Sequence, residues 1–105
     1  MSEHLRVETS YAGQPWRPLP SVTPNGPPGS VSTDPDHGER EVYLFGWVDG
    51  AAGVWRSVAG FDVEVADVRL IATLEGLEQV SDLAEPYEMD WRGLDRLRFT
   101  RVVAP

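Results

Sequence analysis

Cysteine and lysine are both absent from this chain, and histidine occurs only twice, at His4 and His37. Without cysteine there are no disulfides, no thiolate metal sites and no cysteine nucleophile. Two histidines leave almost no material for a site with several imidazole ligands, or for an oriented histidine base. No apolar run approaches the ~18 residues that a membrane-crossing helix needs. Glu3, His4, Arg6 and Glu8 stand where a signal peptide would be apolar. The expectation is a cytoplasmic protein with no membrane association. The chain also lacks G-x-S-x-G, H-E-x-x-H, a P-loop and G-x-G-x-x-G. These absences make an enzyme the weaker reading, and no cofactor is expected.

What is present fits one small domain. At 105 residues the chain can build one hydrophobic core, and its 41% hydrophobic and 25% charged residues are ordinary for a globular protein. The reading is a single domain over 1–105, with 13–40 a Pro/Gly-rich arm or long loop and 41–105 the main core. All nine basic residues are arginine. Abundant Arg, Gly, Ala, Pro and Val is what a GC-rich genome produces, so the missing lysine carries no functional weight.

The net charge of −8 is unevenly spread. Residues 60–90 hold nine acids against the single Arg69, whereas Arg92, Arg96, Arg98 and Arg101 crowd the end of the chain around Asp95. An acidic balance argues against binding nucleic acid through its phosphates. It keeps the protein soluble and is compatible with a basic protein partner.

Alternation marks the strands. Leu5, Val7, Thr9 and Tyr11 alternate with Arg6, Glu8 and Ser10, the period of a half-buried strand. In 42–48, Tyr43, Phe45 and Trp47 fall on one face and Val42, Leu44 and Val48 on the other, so this strand is expected to be covered on both sides. Asp49–Gly53 reads as a hairpin turn leading to a partner strand at 54–59. Residues 61–65 and 68–74 alternate again. Leu77, Val80, Leu83 and Ala84 fall at helical spacing, which predicts a short helix over 76–85 ended by Pro86. Asp90 is placed to cap a further helical turn carrying Trp91 and Leu94. Residues 97–103 read as a last strand, at an edge blunted by Arg98 and Arg101. The predicted fold class is α+β and β-rich: a small antiparallel sandwich or partly open barrel of five to six strands, with one or two short helices.

The arm holds seven of the nine prolines. Trp16, Leu19 and Val22 are the side chains able to pin its first half, while 23–39 has almost nothing to bury. Pro15–Pro20 contains a P-x-x-P with Arg17 inside, a pattern that favours polyproline II and docking to aromatic grooves.

Three tryptophans each precede an arginine: Trp16 and Arg17, Trp55 and Arg56, Trp91 and Arg92. Tryptophan and arginine are the residues that most often anchor interfaces, so these six are the candidate interface residues. Asp34, Asp36, His37 and Glu39 gather oxygen and imidazole ligands on one loop and form a candidate metal site. Its glycine falls one position short of the EF-hand spacing, so a solvated polar loop competes with that reading. Asp62 and Glu64 share a strand face, as an acid–base pair needs, but a face exposed to water.

The functional expectation is a non-enzymatic protein-interaction, assembly or accessory domain that touches a neighbouring subunit or itself through the Pro-rich arm. A small-molecule-binding module with an aromatic-lined pocket is the alternative, and a small enzyme using carboxylates the third reading.

Overall fold

The computed structural model describes residues 2–32, 42–57, 77–91 and 95–104. They form eight strands: β1 (Ser2–Tyr11), β2 (Arg17–Pro18), β3 (Gly29–Ser32), β4 (Val42–Val48), β5 (Ala51–Ser57), β6 (Leu77–Ser81), β7 (Tyr87–Trp91) and β8 (Asp95–Ala104). Two antiparallel four-stranded sheets result, ordered β2-β1-β8-β7 and β3-β4-β5-β6. The β-rich, antiparallel expectation holds, with eight strands among the described residues where five to six were expected.

The sheets meet across one apolar layer. Leu5 and Val7 of β1, Leu97 and Phe99 of β8, and Phe45 and Val54 of β4 and β5 are all buried in it, with Val22 and Leu83. Phe45 and Phe99 lock the two sheets together, with ring centroids 4.8 Å apart and planes tilted by 44°. Tyr87 also stacks with Phe99, at 6.4 Å between centroids. The other face of the second sheet carries its own buried cluster, Val42, Leu44, Val48 and Trp55, with Leu77 packed against it. The two-sided burial read from the sequence of β4 is therefore present.

Two hairpins turn through left-handed residues. Ala12 (φ 49°) and Gly13 (φ 78°) link β1 to β2, closed by the Gln14 N–H donating to the Tyr11 carbonyl at 2.8 Å. Asp49 (φ 52°) and Gly50 (φ 81°) link β4 to β5. Positive φ at both central residues is the type I′ signature, whose twist matches the strands it joins. The second turn is only these two residues long, so β5 begins at Ala51, three residues before the expected start.

Other expectations are corrected. Leu77–Ser81 is a strand, not the first half of a helix, and Asp90 and Trp91 lie in β7 rather than capping a helical turn. No helix occurs among the described residues, and so none is long and apolar enough to cross a membrane there. The physical reason lies in the three-residue spacing of Leu77 and Val80. On a helix that spacing serves one face; on a strand it serves opposite faces. Leu77 packs on the outer cluster and Val80 on the inner one, so a sheet buried on both sides uses both. The β5–β6 pairing also shifts register between Val54 and Trp55, which disguises the alternation. β8 is not an edge strand: β1 and β7 flank it. The strands expected at 61–65 and 68–74 lie outside the described residues, as do the metal candidates Asp34, Asp36, His37 and Glu39 and the pair Asp62 and Glu64.

The Pro-rich segment runs along the domain itself. Arg17 and Pro18 pair with Thr9 and Glu8. The Leu19 N–H donates to the Val7 carbonyl at 2.8 Å, and Val22 and Leu5 exchange two backbone bonds of 2.8 and 3.2 Å. The Val22 side chain is in the core. Gly46 makes room for this crossing: at φ 134° it takes a backbone conformation that L side chains rarely adopt, and a Cβ there would stand 3.0 Å from Val22 Cγ1 and 3.2 Å from Pro28 Cα.

Candidate interaction surface

The outward face of the first sheet is built by the even-numbered residues of its long strands. Leu5, Val7, Leu97 and Phe99 face the core, so their neighbours Arg6, Glu8, Arg96 and Arg98 face out. Cross-strand pairing then sets Glu8 beside Arg98 and Arg98 beside Glu88 in one row, and Arg96 beside Asp90 in the next.

These rows form a charge ladder over three strands. Arg98 Nη2 lies 3.1 Å from Glu8 Oε1, and Arg98 Nη1 lies 3.7 Å from Glu88 Oε1. Arg96 Nη2 donates to Glu88 Oε2 at 2.6 Å, and Arg96 Nε is 3.7 Å from Asp90 Oδ1. Arg6 Nε adds a contact to Glu8 Oε1 at 3.4 Å. The Glu8–Arg98 pair is the most sheltered, with side chains 16% and 28% exposed, whereas Asp90 is 81% exposed. Sheltering matters because pairs in open water contribute only about 0–1 kcal/mol.

Trp16 covers the centre of this ladder. The Arg98 guanidinium carbon is 4.2 Å from its ring centroid, and that of Arg96 is 5.8 Å away. Both fall inside the cation–π range. The turn at Ala12–Gly13 brings Trp16 back over β1, and the Ser10 hydroxyl secures that turn by donating to the Gln14 carbonyl at 2.5 Å. Trp16 is half-buried, while Arg17 beside it is exposed and Leu19 is 40% exposed. No carboxylate among the described residues pairs with Arg17.

The other candidates are dispersed. Trp55 is 4% exposed inside the outer cluster of the second sheet, so its side chain is a core residue and not a surface one. Arg56 is at the surface, hydrogen-bonded to Glu78 across the β5–β6 pair at 2.6 Å. That carboxylate holds the guanidinium above its ordinary pKa. Trp91 ends β7 opposite Asp95, and Arg92 lies outside the described residues. Of the described side chains among the six, Trp16 alone lies on this ladder, and Arg17, its neighbour in the chain, is exposed.

Arg96, Arg98, Glu8 and Glu88 were not among the residues singled out. Their signal was the i, i+2 spacing of Arg6/Glu8, Glu88/Asp90 and Arg96/Arg98, which puts each pair on one strand face. Reading Asp90 as a helix cap concealed it.

A shallow open depression of about 560 Å³ lies beside the β6–β7 connection, lined by residues that include Val80, Asp82, Glu85 and Tyr87. The connection is held by the Leu83 N–H donating to Ser81 Oγ and the Ala84 N–H donating to Asp82 Oδ1, each at 3.0 Å. Among the described residues no three His, Asp or Glu side chains are grouped to hold a metal ion.

Comparison with known proteins places nothing beside this fold: no protein-family model matches the chain, and neither a curated protein nor a solved structure does.

Proposed function

We propose that this chain is a non-catalytic interaction domain that meets a neighbouring subunit through the Pro-rich edge of its first sheet. One observation carries the reading: Trp16 is spread over Arg98, while Arg17 and Leu19 of the same segment are exposed. Tryptophan and arginine dominate the energetic centres of interfaces. Here the ring is already fixed by its cation–π contact and by the β1–β2 hairpin. A fixed aromatic loses little rotamer freedom on binding, so its contact area converts efficiently to affinity. The ladder around it supports the same reading, since its carboxylates are engaged by arginines rather than left to do acid–base chemistry.

The test is a photo-crosslinking residue in place of Arg17 or Leu19, in the full chain inside its own cell. The reading predicts an adduct of higher mass from both positions, lost when Trp16→Ala is added. No adduct from either position would overturn it.

The depression beside Tyr87 favours a second reading, a small-molecule module. Its volume falls in the range of ligand sites, and Tyr87 gives it an aromatic wall. A thermal-shift screen of sugars and planar aromatics tests it: a hit abolished by Tyr87→Ala supports it, and a screen without hits counts against it.

A further inference from the structure

β7 accompanies β8 along Asp95–Phe99 and begins at Tyr87, directly after Pro86. β8 continues for five more residues. Among the described residues Thr100–Ala104 pair with β1 alone.

The direction of each backbone group follows from the far side of β1. Leu5 exchanges bonds with Val22, and the Val7 carbonyl accepts from Leu19, so odd-numbered residues of β1 aim their backbone groups away from β8. The even ones aim toward it, because directions alternate along a strand. His4 and Arg6 therefore bond Val102 and Thr100, their register partners. The odd residues of β8 turn the other way, Phe99 toward β7, Arg101 and Val103 toward the open edge. That edge offers four groups: the N–H and C=O of Arg101 and of Val103.

Nothing in the segment closes it. The register with β1 is unbroken from Ser2 to Tyr11, so β8 carries no bulge. Arg101 is the only charge, and Glu3 of β1 pairs with it. Val103 is 56% exposed. A flat, regular edge of this kind is a template for another strand.

We propose that the Thr100–Ala104 edge pairs with the same edge of a second copy, antiparallel about a two-fold axis at Val102. In this register Arg101 of each copy exchanges both backbone bonds with Val103 of the other, which satisfies all four groups on each side. Neighbouring registers fail. Centring on Arg101 sets the two arginines face to face and drives Val103 onto Phe99, which β7 already occupies. Centring on Val103 gives Arg101 the partner Pro105, which has no N–H. Length agrees with register: the gap is five residues long, the strand that fills it is the same five, and each copy's β7 starts where the other copy's β8 ends. This goes beyond the arm reading and does not depend on it, since Trp16 lies over Arg96 and Arg98, and the edge groups are those of Arg101 and Val103.

Five residues a side bury less than a permanent complex needs, so the dimer is weak, with a dissociation constant on the order of 0.1–1 mM. Sedimentation of the full chain up to about 1 mM tests it, because that span covers the expected constant. The average mass rises from 11.6 kDa toward twice that value. Val103→Pro removes an edge N–H that does not bond β1, so the variant keeps the wild-type circular dichroism and stays monomeric, while Trp16→Ala dimerises like the wild type. A wild-type mass fixed at 11.6 kDa, or a folded Val103→Pro chain that still dimerises, overturns the proposal.

Discussion

Arg98 holds Trp16 and Glu8 at once: its guanidinium carbon is 4.2 Å from the indole centroid, and its Nη2 is 3.1 Å from Glu8 Oε1. The arginine thus ties the Pro-rich segment to β1 through two different attractions. Arg98→Ala removes both and leaves Glu8 beside a gap. The expected loss is about 1–2 kcal/mol, from one cation–π contact and one sheltered ion pair. Urea denaturation measures it, and Arg98→Lys should fall between, because an ammonium keeps the charge but neither spreads over the ring nor forks onto the carboxylate.

Ala12 occupies the first left-handed position of a type I′ turn, where asparagine is favoured. Ala12→Asn should stabilise the protein by about 0.5–1 kcal/mol. A rise in Tm of a few degrees is the expected readout. An unchanged or lower Tm would show that the β1–β2 turn does not have this geometry.

Gly46 permits the Pro-rich segment to cross β4. Gly46→Ala combines an unfavourable φ with close approach to Val22 and Pro28 backbone and side chain. The expected cost is about 2 kcal/mol or more. Thermal unfolding checks it, and a variant as stable as the wild type would mean that the segment does not lie over Gly46.

Leu83 enters the core from a bend, at φ 60° and only 3% exposed. Leu83→Ala should cost about 2–4 kcal/mol through the cavity it leaves. A loss under about 1 kcal/mol would place the β6–β7 connection away from the core.

The fold was legible where alternation was clean. β1 and β4 could be read residue by residue because each side chain's polarity reports its face. β6 could not be read, because Leu77 and Val80 serve opposite faces of a sheet covered on both sides, and the register shift beside Trp55 breaks the period. The place of β8 was hidden for a different reason. Arg98 looked like an edge-blunting charge, whereas Glu8 and Glu88 on the flanking strands neutralise it inside the sheet. Cross-strand partners ninety residues apart leave no local trace. The same fact explains the site: Trp16 was visible as a candidate interface aromatic, but its arginine platform appears only once β8 lies next to β1. Within the described part of the Pro-rich segment, Val22 lies in the core and β3 in the second sheet, so point variants rather than deletions are the suitable probes.

Amide hydrogen exchange along β8, read residue by residue on the intact chain at low and high concentration, tests the account most directly. A central strand with a half-open edge predicts a specific pattern. Leu97 and Phe99 are protected at every concentration by β7, and Thr100 and Val102 by β1. Arg101 and Val103 exchange quickly when dilute and slow down when concentrated. Rapid exchange along the whole of β8 would contradict its central place, and Arg101 and Val103 indifferent to concentration would contradict the pairing of two copies.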